Sequence, residues 1–329
     1  MKDISKINKT TVATVEVARG TTHDGPGIRT TVFTKGCSLS CRWCQNPESI
    51  SLKQEIWYES GKCIGCLDCV KTCRNSALEA SETGIKIYRD KCLGCGDCAE
   101  TCPAKALTFT GTVWTVDELV REVMKDKTYY EEFNGGVTVS GGEPLIHADF
   151  LIDFFRKLKG NGIHTALDTC GCVCEEAVMK VMPYIDAVFY DIKLMDFVRH
   201  KELTGKGNQR ILENLKAITE YIRKAKKEDG CKILLWIRTP LIPGETDTED
   251  NIIQIADFIA ENILSDIERW ELCSFNPACI AKYIKMQRNW YYEKTAMMMQ
   301  NKVDMIKELA LSHGIPDDKL IVTGLIKPD

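Results

Sequence analysis
At 329 residues with a formal net charge of −4, the chain can hold one large domain and a smaller one, and it has no basic tail or block to suit nucleic acid or an anionic membrane. No run of about 18 apolar residues occurs, and the polar stretch Met1 to Thr11 lacks the apolar core of a signal peptide, so a cytoplasmic protein is expected. Seventeen cysteines in that reducing compartment are not expected to form disulfides.

Taken in chain order, residues 12–18 and 28–34 are β-branched and alternating and predict two strands, with Gly25-Pro26-Gly27 as a turn between them. The second strand delivers Cys37-x3-Cys41-x2-Cys44. Three thiolates are one short of a complete set for a cubane iron–sulfur cluster, so one iron is left open to a substrate. Spacing alone also allows a zinc knuckle with a distant fourth ligand, or three unrelated buried thiols.

From about Ser49 to Gly111 two similar blocks follow, Cys63-x2-Cys66-x2-Cys69-x3-Cys73 and Cys92-x2-Cys95-x2-Cys98-x3-Cys102-Pro103. In this bacterial two-cluster ferredoxin run the fourth cysteine of each block serves the cluster of the other. One [4Fe–4S] cluster is therefore assigned to Cys63, Cys66, Cys69 and Cys102, and another to Cys73, Cys92, Cys95 and Cys98. A zinc ribbon would space its cysteine pairs more widely. Complete ligation makes these two clusters electron carriers. Outside the three arrays stand Cys170, Cys172, Cys174, Cys231, Cys273 and Cys279; the 170–174 run is read as strand or turn thiols.

Beyond the insertion the pattern is α/β. Thr115 with Glu118 forms a capping box opening a helix. Strand 136–139 ends at Gly141-Gly142-Glu143-Pro144, and the helix from Asp149 carries Phe150, Leu151, Phe154, Phe155 and Leu158 toward a core. Strands 164–167, 187–190, 232–237 and 267–272 alternate with helices, clearest at 208–228 and 249–263. Six strand–helix units imply a parallel sheet with right-handed crossovers, an incomplete (β/α)6 TIM-like barrel. Cys37, Glu143, Asp168, Asp191, Arg238 and Asn276 are each placed just past the C-terminal end of a predicted strand, the rim where barrels build their sites. Individually, Asp168 and Asp191 could be helix N-caps and Arg238 a rim salt bridge. His23, His147, His164, His200 and His313 are read as surface or satisfied core residues.

The segment Asp24 to Gly36, the cysteine loop, Gln45-Asn46-Pro47-Glu48 and Gly141-Gly142-Glu143-Pro144 together closely resemble the activating enzymes of glycyl radical enzymes, in the radical S-adenosylmethionine (SAM) family. The resemblance spans nearly the whole chain. It implies residues 1–48 as the start of the barrel with its catalytic cluster loop, 49–111 as a ferredoxin-like insertion, and 112–329 as the rest of the barrel. It implies three [4Fe–4S] clusters, with Cys37, Cys41 and Cys44 holding the catalytic one, whose open iron SAM chelates. Trp43 would pack near the adenine, and Gly141, Gly142 and Glu143 would meet the SAM amino group. Asp168, Thr169 and Asp191 match positions that bind the methionine end or a nearby monovalent cation, and Lys193 and Arg238 suit the SAM carboxylate. Asn276 stands where members near the formate-lyase activator carry histidine, and could still reach the ribose; Lys282-Tyr283 fits the family pattern. That substitution and the insertion disfavour a formate-lyase partner and lean toward an aryl-acid decarboxylase or aryl-succinate synthase.

The expected activity is reductive cleavage of SAM to methionine and a 5′-deoxyadenosyl radical that takes a backbone glycine hydrogen from a large glycyl radical enzyme, with reduced ferredoxin or flavodoxin as donor. A monomer working anaerobically is expected. Rival readings are a radical SAM peptide or sulfatase maturase, whose extra cysteines usually follow the barrel, and a non-catalytic iron–sulfur electron carrier, against which the open-iron loop argues.

Overall fold
The computed structural model describes residues 10–82, 84–230 and 232–329. Cys231 and most of the N-terminal stretch read above as lacking a signal peptide lie outside the described residues. In chain order the strands are β1 (Thr11–Thr21), β2 (Arg29–Thr34), β3 (Glu55–Tyr58), β4 (Leu78–Ser81), β5 (Gly84–Ile87), β6 (Leu107–Thr110), β7 (Thr112–Thr115), β8 (Gly136–Gly141), β9 (His164–Thr169), β10 (Ala187–Asp191), β11 (Leu234–Leu241), β12 (Arg269–Ser274) and β13 (Leu320–Thr323).

Nine of them form one sheet in the order β13-β12-β11-β10-β9-β8-β2-β1-β7. From β2 through β13 every neighbouring pair is parallel, which is the six-unit α/β barrel expected from the alternation with one further parallel strand, β13, at its edge. At the other edge β1 and β7 pair antiparallel. The sequence reading did not include β7 or β13; each is four residues long, too short for a period to show.

The helices follow their apolar stripes. Thr115 and Glu118 make the full reciprocal capping box of helix Val116–Val123. Helix Ala148–Gly160 buries Phe150, Leu151, Phe154, Phe155 and Leu158 against the sheet, at about 2 kcal/mol for each such side chain. Helices Gln209–Asp229 and Glu249–Asn262 match their predicted spans within a residue. No helix among the described residues is long and apolar enough to cross a membrane.

Residues 55–110 build separately. β3 pairs with β6 and β4 with β5, both antiparallel, around short helices Asp68–Thr72 and Asp97–Thr101. Ile56, Tyr58, Leu78, Ile85, Ile87 and Leu107 lead an apolar cluster distinct from the main core.

At the start of β2, Arg29 is fully buried, and no carboxylate among the described residues pairs with it. Its guanidinium donates to Thr138 Oγ1 (2.6 Å), Val137 O (2.9 Å) and Pro26 O (3.2 Å), and Nη2 lies 3.3 Å from His164 Nδ1. Burial, with Arg29 adding to it, pulls the His164 imidazole down to about 4 from its usual 6.5. The unfolded chain therefore takes up this proton first on acidification, so stability is lost as pH falls from about 6.5 to about 4, by an order of 2 to 3 kcal/mol. His164→Gln is expected to flatten acid unfolding in that window, measured by denaturant titration at stepped pH; an unchanged pH slope would contradict it.

Candidate active site
The three-cysteine loop leaves β2 at Thr34 and is pinned on two sides. Gly36 and Cys37 donate backbone N–H bonds to Ser49 O (2.6 Å) and Ile50 O (2.9 Å), and Ser40 and Arg42 to Thr204 O (2.8 Å) and Leu203 O (3.0 Å). Helix Ile280–Lys285 closes the third side: Tyr283 donates its hydroxyl to Cys44 O (3.0 Å), and Lys282 meets Asn46 Oδ1 (2.6 Å) and Glu48 Oε1 (2.8 Å). The Lys-Tyr pair thus holds the loop. Trp43 is 4% exposed, part of the main core behind the loop rather than an open face.

Burial pushes the Cys41 thiol up to about 12 and raises Cys44 with added repulsion from Cys41, while Cys37 is lowered by a hydrogen bond with Cys170. Burial keeps these two thiols neutral, and to ionise as ligands side by side they would need a cationic partner; among the described residues no three His, Cys, Asp or Glu groups are close enough to hold a single metal ion. The insertion brings its cysteines together in the same chemistry. One cavity is lined by Cys63, Cys66, Cys69 and Cys102, and a second by Cys73, Cys92, Cys95 and Cys98. Each is four thiols in an otherwise mostly apolar wall, which suits a cluster ligated on every iron.

The Gly-Gly-Glu segment is bonded to the start of the cysteine loop. A side chain at Gly141, whose φ is +107°, would come within 2.3 Å of Thr34 N, and one at Gly142 within 2.0 Å of Gly36 O. The glycines let β8 close onto the start of the cysteine loop, where Gly142 N and Glu143 N bond Thr34 O and Gly36 O. Glu143 is 0% exposed and spends its carboxylate inside the protein. Oε1 accepts from Leu145 N (3.0 Å) and Thr169 Oγ1 (2.7 Å), and Oε2 from Cys170 N (2.9 Å) and Cys170 Sγ (3.0 Å). Its side chain is a strut between β8 and the end of β9.

The position expected for Arg238 is corrected. β11 runs on to Leu241, so Arg238 lies inside the strand rather than past its end. Its Nε donates to Glu271 Oε2 (2.8 Å) and Nη2 to His23 O (2.7 Å), with Asp168 Oδ2 3.5 Å from Nη1 and the Phe189 ring 4.8 Å beneath. Burial opposes its charge, but Asp168 and Glu271 outweigh that and hold it fully protonated. Its fork is occupied by protein carboxylates. Asp168, within β9, accepts from Ser140 Oγ (2.6 Å), and burial pushes its carboxyl up to about 6 against the pull of Arg238. Asp191 ends β10 and pairs with Lys193 at 2.5 Å. Burial works against the Lys193 charge, yet Asp191 and the neighbouring Cys41 and Cys170 keep it above the ordinary lysine value. Asn276, two residues past β12, accepts from Ala278 N and offers its carbonyl to Gln45 Nε2 (3.1 Å). Lys193 and Asp191 thus lie close enough to Cys41, and Glu143 and Lys193 to Cys37, to act on their charge, while Asp168 is held by Arg238 and Ser140 beside Asp191.

Two residues had escaped the sequence reading. Lys35 is 0% exposed and donates to Glu48 O (2.6 Å) and Ser51 O (2.9 Å), with Glu55 Oε2 at 3.9 Å; burial pulls its amine down to about 8. Nothing in a lysine at the end of a Thr/Val-rich strand signals burial. Cys170, read as a turn thiol, is buried between Glu143 and Cys37, whereas Cys172 is half-buried and Cys174 exposed. The histidines behave as satisfied groups: His147 Nε2 meets Lys35 O, His200 Nδ1 meets Lys206 O, and His313 Nδ1 meets Asp257.

The Radical SAM superfamily model matches residues 31–259. The chain is 39% identical over 288 residues to the trans-4-hydroxy-L-proline dehydratase activating enzyme of Clostridioides difficile, covering 87% of this chain and 92% of that one. It is 41% identical over 258 residues to the isethionate sulfite-lyase activating enzyme of Nitratidesulfovibrio vulgaris (77% and 81%), and 35% identical over 299 residues to the 4-hydroxyphenylacetate decarboxylase activating enzyme of Clostridium scatologenes (89% and 92%). Among solved structures, a radical SAM methyltransferase from Sphaerobacter thermophilus superposes with a TM-score of 0.51 at 14% identity, over 95% of this chain and 73% of that one, a likeness of fold.

Proposed function
Because the chain belongs to the radical SAM superfamily and, within it, to the activating enzymes of glycyl radical enzymes, we propose how its own residues serve that activity and how its parts divide. The observation that carries the reading is a three-thiol loop whose start is bonded to the end of β8 through Gly142 N and Glu143 N, with Asp191 and Lys193 at the end of β10 close enough to act on Cys41. With an iron–sulfur cluster and SAM in place, one-electron reduction of the sulfonium yields methionine and a 5′-deoxyadenosyl radical that abstracts the α-hydrogen of a backbone glycine.

Cys37, Cys41 and Cys44 would hold such a cluster and, being three thiols, would leave SAM a place on it. Lys193, kept charged by Asp191 beside Cys41, offsets the negative thiolates and steadies the carboxylate end of SAM. Asp168 and Thr169 receive the amino end, with Glu143 locking Thr169 and Arg238 locking Asp168. Residues 49–111 act as the ferredoxin-like insertion, its two cysteine quartets each taking a closed [4Fe–4S] cluster, between barrel segments 1–48 and 112–329; its separate apolar cluster and two cysteine-lined cavities support this division. The protein works as a monomer in the cytoplasm on a large glycyl radical enzyme, with reduced ferredoxin or flavodoxin as donor. The named relatives serve a dehydratase, a sulfite-lyase and a decarboxylase; the aryl-acid lean drawn from Phe275-Asn276 stays a proposal for the partner of this chain.

The test is anaerobic incubation with SAM, reductant and candidate glycyl radical enzymes, each carrying a C-terminal glycine loop. The expected result is a glycine-centred doublet in electron paramagnetic resonance (EPR) that collapses when the glycine α-hydrogen is replaced by deuterium, with 5′-deoxyadenosine formed alongside. SAM cleavage with each such partner remaining radical-free would favour a maturase.

A further inference from the structure
The two cysteine quartets of the insertion are not equivalent with respect to the barrel. The chain enters the insertion through β3 and leaves it through β6, and these strands pair antiparallel as Glu55↔Thr110, Ile56↔Phe109, Trp57↔Thr108 and Tyr58↔Leu107. The Glu55/Thr110 end is tied to the barrel, since Glu55 meets Arg288 Nη2 (2.5 Å) and lies 3.9 Å from the buried Lys35 Nζ, two residues before Cys37. One step along the ladder, Ile56 lines the cavity of Cys73, Cys92, Cys95 and Cys98. At the far end, Leu107 lines the cavity of Cys63, Cys66, Cys69 and Cys102. Two residues of strand separate these positions, about 7 Å.

The loops agree with the ladder. In the Cys92–Cys95 loop, Gly94 lies so close to the chain at the barrel junction that a side chain there would come within 2.4 Å of Gln54 O. Arg89, near enough to Cys92 to feel its charge, donates to Ile56 O (2.7 Å) and to Met286 O (3.1 Å). Met286 caps the helix whose Tyr283 bonds Cys44 O. A hydrogen-bonded route therefore runs from the Cys92 block to the three-cysteine loop. The Cys63 side has ties to the same barrel segment, Gln287 to the β5 backbone at Ile85 and Ile87 and Lys285 Nζ 3.7 Å from Glu59 Oε1, but none of them involves the Glu55/Thr110 end of the ladder or a residue between the quartet's own cysteines.

We infer that the quartet Cys73, Cys92, Cys95, Cys98 is the inner relay that hands electrons to the three-cysteine loop, and that Cys63, Cys66, Cys69, Cys102 is the outer, entry quartet. This rests on the two-cluster reading of residues 49–111. One electron leaves a reduced low-potential carrier protein, ferredoxin or flavodoxin, which is oxidised by that one electron; it passes outer to inner to catalytic, with no bond made or broken and no proton moved.

Iron content decides the underlying reading first: about twelve irons per wild-type chain are required, and about four would remove it together with this assignment. EPR of the fully reduced protein then tests the order. Dipolar broadening of the SAM-responsive signal is expected to persist in Cys66→Ser and to vanish in Cys95→Ser; the reverse pattern, with twelve irons in the wild type, overturns the order alone. Should a cysteine variant not fold, Arg89→Met in the otherwise intact chain gives the same answer. Losing that cation should lower the midpoint potential of the auxiliary signal that is coupled to the SAM-responsive one; a shift confined to the uncoupled auxiliary signal overturns the assignment.

Discussion

Glu143→Ala is expected to destabilise the cluster-loaded protein by about 3 to 5 kcal/mol and to lower 5′-deoxyadenosine formation by about 10²-fold. The carboxylate is fully buried and accepts four hydrogen bonds, from Leu145 N, Thr169 Oγ1, Cys170 N and Cys170 Sγ. Truncation strands all four donors and frees the end of β9, where Thr169 lies. Glu143→Gln is the sharper probe. It keeps the shape, but one amide hydrogen-bonding edge now donates where Thr169 and Leu145, or both Cys170 donors, also donate, so a loss of about 1 to 3 kcal/mol is expected. Anaerobic denaturant titration beside a SAM saturation curve separates the roles. If Glu143→Gln leaves stability untouched and raises only the KM for SAM, the residue is a ligand contact and the strut assignment is wrong.

Arg238→Gln is expected to cost a similar amount, about 3 to 5 kcal/mol, because Glu271 and Asp168 lose a shared, buried guanidinium. Arg269 remains on Glu271, which moderates the loss there, while Asp168 keeps, among the described residues, Ser140 as its donor. Arg238→Lys should recover a minor part, since one ammonium cannot span Glu271, His23 O and Asp168 as the fork does. The pH dependence has a definite sign. Asp168 already sits at about 6 through burial, and removing the cation raises it further. Protonated Asp168 needs no cation, so the penalty of Arg238→Gln should shrink as pH falls through about 6. A penalty that grows on acidification would show that Asp168 is not the group left unpaired.

What the sequence made legible was local. Cysteine spacing, the capping box at Thr115 and Glu118, and the alternation of apolar strands with amphipathic helices depend on residues a few positions apart, and the barrel and the cysteine arrays follow from them. The side-chain partnerships did not, because they cross strands: Glu143 meets Thr169 and Cys170, and Arg238 meets Glu271. Glycines that look like room for a ligand turn out to be room for the neighbouring backbone at Thr34 and Gly36. A lysine after a β-branched strand reads as surface, yet Lys35 is buried where barrel and insertion meet, a junction that no single stretch of residues reveals.

The central claim, that the Cys37, Cys41, Cys44 loop presents an open iron to SAM, is tested most directly by EPR of the anaerobically reconstituted, reduced protein before and after SAM, with 5′-deoxyadenosine assayed in parallel. SAM should perturb one cluster signal, and Cys41→Ala should abolish both that response and the cleavage while the two signals of the insertion persist. If SAM perturbs no signal and no 5′-deoxyadenosine forms, the loop is a closed electron-carrying site and the account is contradicted.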